Sequence, residues 1–175
     1  MPGQIKIFHS ETVFLYKIDK EFCKVYFEKN QNYLTLEIES TEDLDHVEED
    51  SIQNKFPKII LSLDDFEINY SSTQEMLNET LVIEEKESLT YSKLSIESDD
   101  FKILKNKVLL TLENQDLSLS WKGKCEDFTQ ITNELLNFEV FCEISEQIDF
   151  NFDEYEEFEK IKEKKNKIIP NQSFE

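Results

Sequence analysis

Carboxylates dominate the residues able to do chemistry: 39 Asp and Glu stand against 19 Lys, with two His, three Cys and no Arg. One spacing resembles a metal site. Asp149, Asn151 and Asp153 match D-x-N-x-D, the opening of a calcium-binding EF-hand loop. The match then fails, because Glu154 stands where Gly is needed and Lys160 where a bidentate Glu should close the shell. Ile148, Phe150 and Phe152 also alternate with these residues, as in a strand. His9 and His46 are far apart and no H-E-x-x-H occurs, so no zinc site is expected. Cys23, Cys125 and Cys142 are odd in number and widely spaced, which fits neither a disulfide framework nor a metal knuckle. Strand parity groups Cys23 with Val25 and Phe27, and Cys142 with Phe138, Val140 and Ile144, as core residues; Cys125 is expected in a loop. There is no G-x-S-x-G, and no Cys–His pair has local support. With 39 acids, some carboxylate pair at a glycosidase separation is inevitable and carries no weight. The expectation is therefore no catalytic residue, no metal and no cofactor.

What remains is charge. The formal net charge is −20 over 175 residues. It opposes binding to a nucleic-acid backbone and docking on an anionic membrane, both of which rely on Lys and Arg. Only two glycines occur, far apart, so no phosphate-cradling loop can form. The acids cluster. Glu42, Asp43, Asp45, Glu48, Glu49 and Asp50 crowd one stretch without a lysine, and a second cluster spans 146–159. Such clusters either solubilise a surface or form an electrostatic footprint for a basic partner. The six acids of 42–50 are the candidate partner-binding residues, because that segment has no evident core role. The acids after 153 already serve a helix dipole.

These residues must be positioned by strands. Alternation predicts strands at 4–8, 12–18, 22–28, 33–39, 58–63, 66–70, 81–84, 89–97, 107–113, 117–122, 138–144 and 148–152. Residues 22–28 and 33–39 form a hairpin over the four-residue loop KNQN. In a second hairpin over NQD, Val108, Leu110 and Leu112 face Leu117, Leu119 and Trp121, while Ser118, Ser120 and Lys122 point outward. Trp121 should be buried beside Leu110, Leu112 or Leu119. Helical spacing of Phe128, Ile131 and Leu135 predicts a helix over 126–137, and the S-x-x-E of Ser72 to Glu75 predicts a short one to Glu79. A C-terminal helix is expected over 153–167, with Tyr155, Phe158 and Ile161 as its packing stripe. Pro170 should end it, leaving 170–175 as a frayed tail. The fold class is α+β, predominantly antiparallel β, meander or sandwich-like, with two or three short helices. It reads as one domain over 1–169, with 40–56 as its least structured interior stretch. No apolar run approaches a membrane span and the N-terminus has no signal pattern, so the expected location is the cytoplasm.

The run TLENQDLSLSWKGKCEDF (111–128), a following helix and NFEVFCEI (137–144) resemble the strand–turn–strand–helix–strand segments of bacterial toxin-immunity proteins. These include those of contact-dependent inhibition and related polymorphic toxin systems. The resemblance implies a small, acidic, strand-rich, cytoplasmic protein without enzymatic activity, whose partner is a cognate toxin domain. Combined with the charge, it predicts a basic protein partner, a nuclease domain foremost, occluded at its active site. The alternatives are a phage-type DNA mimic that inhibits restriction or CRISPR enzymes, and an enzyme with an unrecognised carboxylate site.

Overall fold

The computed structural model describes residues 3–85 and 90–168. Ten strands follow the order β1 Gln4–Phe8, β2 Val13–Glu28, β3 Gln31–Ser40, β4 Ile60–Ile68, β5 Thr80–Ile83, β6 Ser92–Ile96, β7 Asp99–Glu113, β8 Asp116–Glu126, β9 Leu135–Glu143 and β10 Glu146–Asn151. Helix α1, Phe152–Ile168, follows. Eight strands pair in chain order, β1-β2-β3-β4-β6-β7-β8-β9, and β9 returns to β1. Every pairing around this circuit is antiparallel, which makes an up-and-down meander closed into a barrel. The meander expectation holds, and closure replaces a separate sandwich. β5 pairs with β7 outside the circuit. β10 pairs with β2 in parallel, and Leu77 makes an isolated parallel bridge to Leu110.

Two long strands make the corners. β2 gives its first half to β1 and its second half to β10, and the register slips between Ile18 and Lys20 on its β3 side. β7 passes from β6 to β5 and β8, slipping between Leu104 and Lys107. Bulges of this kind bend a strand from one sheet face to the next. β4 likewise bulges around Asp65 (φ 49°), so one strand replaces the two expected at 58–63 and 66–70.

The second hairpin has the expected register: Val108 opposite Trp121, Leu110 opposite Leu119, Leu112 opposite Leu117. All but Leu112 are buried, and Ser118, on the other face, is buried too. Trp121 is buried in the same core cluster as Leu110 and Leu119, paired with Val108 and set edge-on to the Phe138 ring, centroids 5.9 Å apart. Both hairpin loops are shorter than expected. Gln31 pairs with Glu28 and Asp116 with Glu113, leaving two-residue turns at Lys29–Asn30 (φ 50° and 63°) and Asn114–Gln115 (φ 53° and 78°). Positive φ at both central residues is the geometry that matches strand twist.

Two expected helices are absent. Over 126–137, Cys125 pairs with Leu136 and Glu126 with Leu135, so the β8–β9 hairpin continues and Cys125 lies in a strand, buried. The Asp127 carboxylate accepts from the backbone and hydroxyl of both Thr129 and Thr132, which curls 127–134 into a loop. Such side-chain bonds compete with helix formation. Phe128 enters the core, while Ile131 and Leu135 are exposed. At 72–79 the caps form: Ser72 Oγ accepts from Glu75 N–H and the Glu75 carboxylate from Ser71 N–H. The chain makes turns and a bridge from Leu77 to Leu110 instead of a helix, because Asn78 (φ 64°) turns out and its N–H donates to the Leu110 carbonyl of β7. The stretch 40–56 instead holds a 3-10 helix, Ile52–Lys55. Among the described residues α1 is the one α-helix, not two or three. The tail 170–175 lies outside the described residues. No helix among them is long and apolar enough to cross a membrane.

Candidate functional site

The six acids 42–50 follow β3 and run beside the first half of β2. There β2 has no β3 neighbour, because pairing starts only at Ile18 and Ser40. The loop fills the gap. Thr41 N–H donates to the Lys17 carbonyl at 2.9 Å. The buried Gln53 amide replaces a strand, accepting from Leu15 N–H at 3.1 Å and donating to the Leu15 carbonyl at 2.6 Å. His46 is exposed and its Nε2 lies 2.9 Å from the same carbonyl, so that nitrogen carries the proton. Asn54 donates to the carbonyls of Glu48, Glu49 and Ser51 and ties the loop to the 3-10 helix.

This scaffold holds Glu42, Asp43, Asp45, Glu48, Glu49 and Asp50 outward, all exposed. Asp43 bonds Lys17 Nζ at 2.6 Å and receives Asp45 N–H at 2.9 Å. The Lys17 ammonium, with that N–H, holds its carboxyl below the usual range. The other five have no ion-pair partner among the described residues. The arrangement is a fixed field of negative charge, suited to meeting cations.

A second surface was missed from sequence. Tyr33 stacks on Tyr26, centroids 5.1 Å apart. Tyr26 meets Phe152 at 5.5 Å, Phe152 meets Phe150 at 4.6 Å, and Phe150 meets Tyr155 at 5.7 Å. Lys24 Nζ sits 4.5 Å above the Tyr26 ring. The legible signal was parity: Tyr26 and Tyr33 face each other across the first hairpin, opposite in parity to the buried Val25 and Leu34. The strip ends on α1, where Tyr155, Phe158 and Ile161 are 52, 61 and 53% exposed. Apart from the Phe150–Tyr155 contact, the expected packing stripe is therefore left uncovered among the described residues.

His9, Asp127 and the three cysteines are engaged in packing and hydrogen bonding. His9 is buried and stacked on Phe14, and its Nδ1 accepts from Glu11 N–H at 3.2 Å. Its Nε2 therefore carries the proton and donates to Thr129 Oγ1 at 3.2 Å, whose own hydroxyl donates to Asp127. A triad needs the reverse polarity, with Nε2 accepting from the hydroxyl. Burial raises the Asp127 pKa, but the Thr129 and Thr132 bonds outweigh it and leave the carboxyl below its ordinary value. Burial pushes the thiols of Cys23, Cys125 and Cys142 up to about 12, so none is a thiolate at neutral pH.

Asp149 and Asn151 of the D-x-N-x-D run border a 480 Å³ groove with Phe27, Asn32 and Glu154, while Asp153 does not line it, and each of the three has a structural task. Asp149 accepts from Thr73, Asn151 from Glu154 N–H at the start of α1, and Asp153 from Lys29 N–H. Among the described residues no group of three His, Cys, Asp or Glu is placed to hold a metal ion. Comparison with protein-family models, curated proteins and solved structures finds no match to this chain.

Proposed function

We propose that this protein is an immunity protein: in the cytoplasm it binds a basic toxin domain, a nuclease foremost, and covers its active site. The observation that carries this reading is the loop of 42–50, where six carboxylates project from a backbone already fixed by Gln53, Asn54 and His46. A preorganised charged loop loses little entropy on docking. Nuclease clefts are basic because they bind phosphate, and a field of opposite sign speeds association by about 10–10³-fold. The net charge of −20 acts in the same direction.

The test begins with affinity capture from the native host. A single basic partner at one-to-one stoichiometry, whose nuclease activity falls in proportion to added protein, supports immunity. Changing Glu42, Asp43, Asp45, Glu48, Glu49 and Asp50 to Gln or Asn should then slow association about tenfold or more at low salt and flatten its salt dependence. Unchanged association, with slowing instead on neutralising Glu154, Glu156, Glu157 and Glu159, would move the site to α1. Release of many DNA-binding proteins by salt would replace immunity with DNA mimicry.

A further inference from the structure

Helix α1 is tied to the barrel at its first turn, where Phe152 meets Tyr26 and the Asp153 carboxylate accepts from Lys29 N–H. Beyond that turn its apolar residues Tyr155, Phe158 and Ile161 stay exposed. At 3.6 residues per turn, Glu154, Tyr155, Phe158, Ile161 and Lys162 share about one third of the helix circumference. Charge along the helix is segregated: residues 153–159 hold five acids and no lysine, and residues 160–167 hold five lysines and one Glu.

The geometry points to a homodimer in which α1 docks antiparallel on α1 of a second copy of this chain, about a two-fold axis at Phe158. In that arrangement Phe158 meets its own equivalent, Tyr155 meets Ile161 of the second copy, and Glu154 meets Lys162 of the second copy. The contact is isologous, so each pair occurs twice. The stripe complements its own reverse. A basic protein is repelled by the lysine half and a nucleic acid by the acid half. A parallel helix would set like charge on like.

Two copies carrying −20 each repel everywhere else, so self-association needs a surface where the sign alternates. An amphipathic helix also draws most of its stability from packing its apolar face, which the barrel does not supply here. Phe150, in ring contact with Tyr155, extends the apolar surface onto β10. Lys17, beside the acidic loop, and Tyr26, beside α1, lie about 30 Å apart along β2 at 3.3 Å per residue. The proposed contact on α1 shares no residue with the acidic loop, so the dimer stands whether or not the loops bind a toxin.

Sedimentation of the full chain at micromolar concentration should give twice the 20.9 kDa chain mass. Phe158→Glu, at an exposed site that keeps the fold, should raise the dimer dissociation constant about tenfold or more. Charge exchange gives a second arm independent of hydrophobicity. Glu154→Lys sets lysine against lysine and Lys162→Glu sets acid against acid, so each variant alone should dimerise several-fold more weakly. Mixed, they should form a heterodimer in which both Lys–Glu contacts are restored. A monomeric wild type, an unaffected Phe158→Glu dimer, or a mixture no tighter than its components would overturn the proposal.

Discussion

Trp121 shows how a single side chain organises its surroundings. Its ring is fully buried, and its indole N–H needs an acceptor inside the barrel wall. Asn106 supplies it, with Nε1 to Oδ1 at 2.9 Å, and passes its own amide to Ser92 Oγ at 3.0 Å. Ser92 donates in turn to the Glu85 carboxylate at 2.8 Å. Asn106 faces inward because β7 bulges there, after Lys105 at φ 47°. Gly123 makes the room: a Cβ on it would stand 2.5 Å from Asn106 Cβ and 2.9 Å from a Phe138 ring carbon. Gly123→Ala should therefore cost about 1–3 kcal/mol through forced displacement of packed neighbours. Trp121→Ala should cost about 3–5 kcal/mol. Urea denaturation measures both, and unchanged midpoints would contradict this account of the barrel wall. The tryptophan's burial was legible from alternation, but its polar partner was not, because a bulge shifts parity at the residue that matters.

At the scale of elements, the loop between β8 and β9 depends on Asp127. Its four hydrogen bonds from Thr129 and Thr132 favour the charged carboxylate, and its folded pKa lies below the ordinary value. Stability from this group is therefore present above the unfolded aspartate pKa, about 3.9, and is lost as pH falls through the depressed folded value. Asp127→Asn should lower the melting temperature at pH 7 and remove part of the decline expected of wild type below pH 4. Thermal melts of both proteins across pH 3–7 check this. The same loop shows where sequence reading stops. Phe128, Ile131 and Leu135 have helical spacing, but spacing cannot weigh two threonines that bond a carboxylate against the helix they would interrupt. Cys125, likewise, is read as a loop residue only until its pairing with Ile103 and Leu136 is known. Strands were more legible, because one buried face imposes strict alternation: the 107–122 hairpin register follows from Val108, Leu110, Leu119 and Trp121 alone. For the candidate sites, the six acids were visible as composition and Gln53 and Asn54, which fix them, were not. The aromatic strip escaped because Tyr155, Phe158 and Ile161 have the spacing of a packing face, and only the structure leaves that face without a barrel to cover.

The whole molecule carries its charge over a closed surface, and closure changes what that charge does. A net −20 destabilises a compact state through self-repulsion, so added monovalent salt should raise the melting temperature. EDTA should leave it unchanged, and a fall reversed by one specific cation would restore a carboxylate metal site. Both follow from scanning calorimetry in matched buffers. The barrel closes where Gln4–Phe8 pairs with Leu135–Glu143. These segments lie at opposite ends of the described circuit, so a ribosome must have made every strand between them before this seam can form. At 5–20 residues per second, the early strands wait on the order of ten seconds with an unpaired margin open to other chains. The strong negative charge of the nascent meander then has a use before the protein is finished: it keeps newly made copies apart until the last strand arrives.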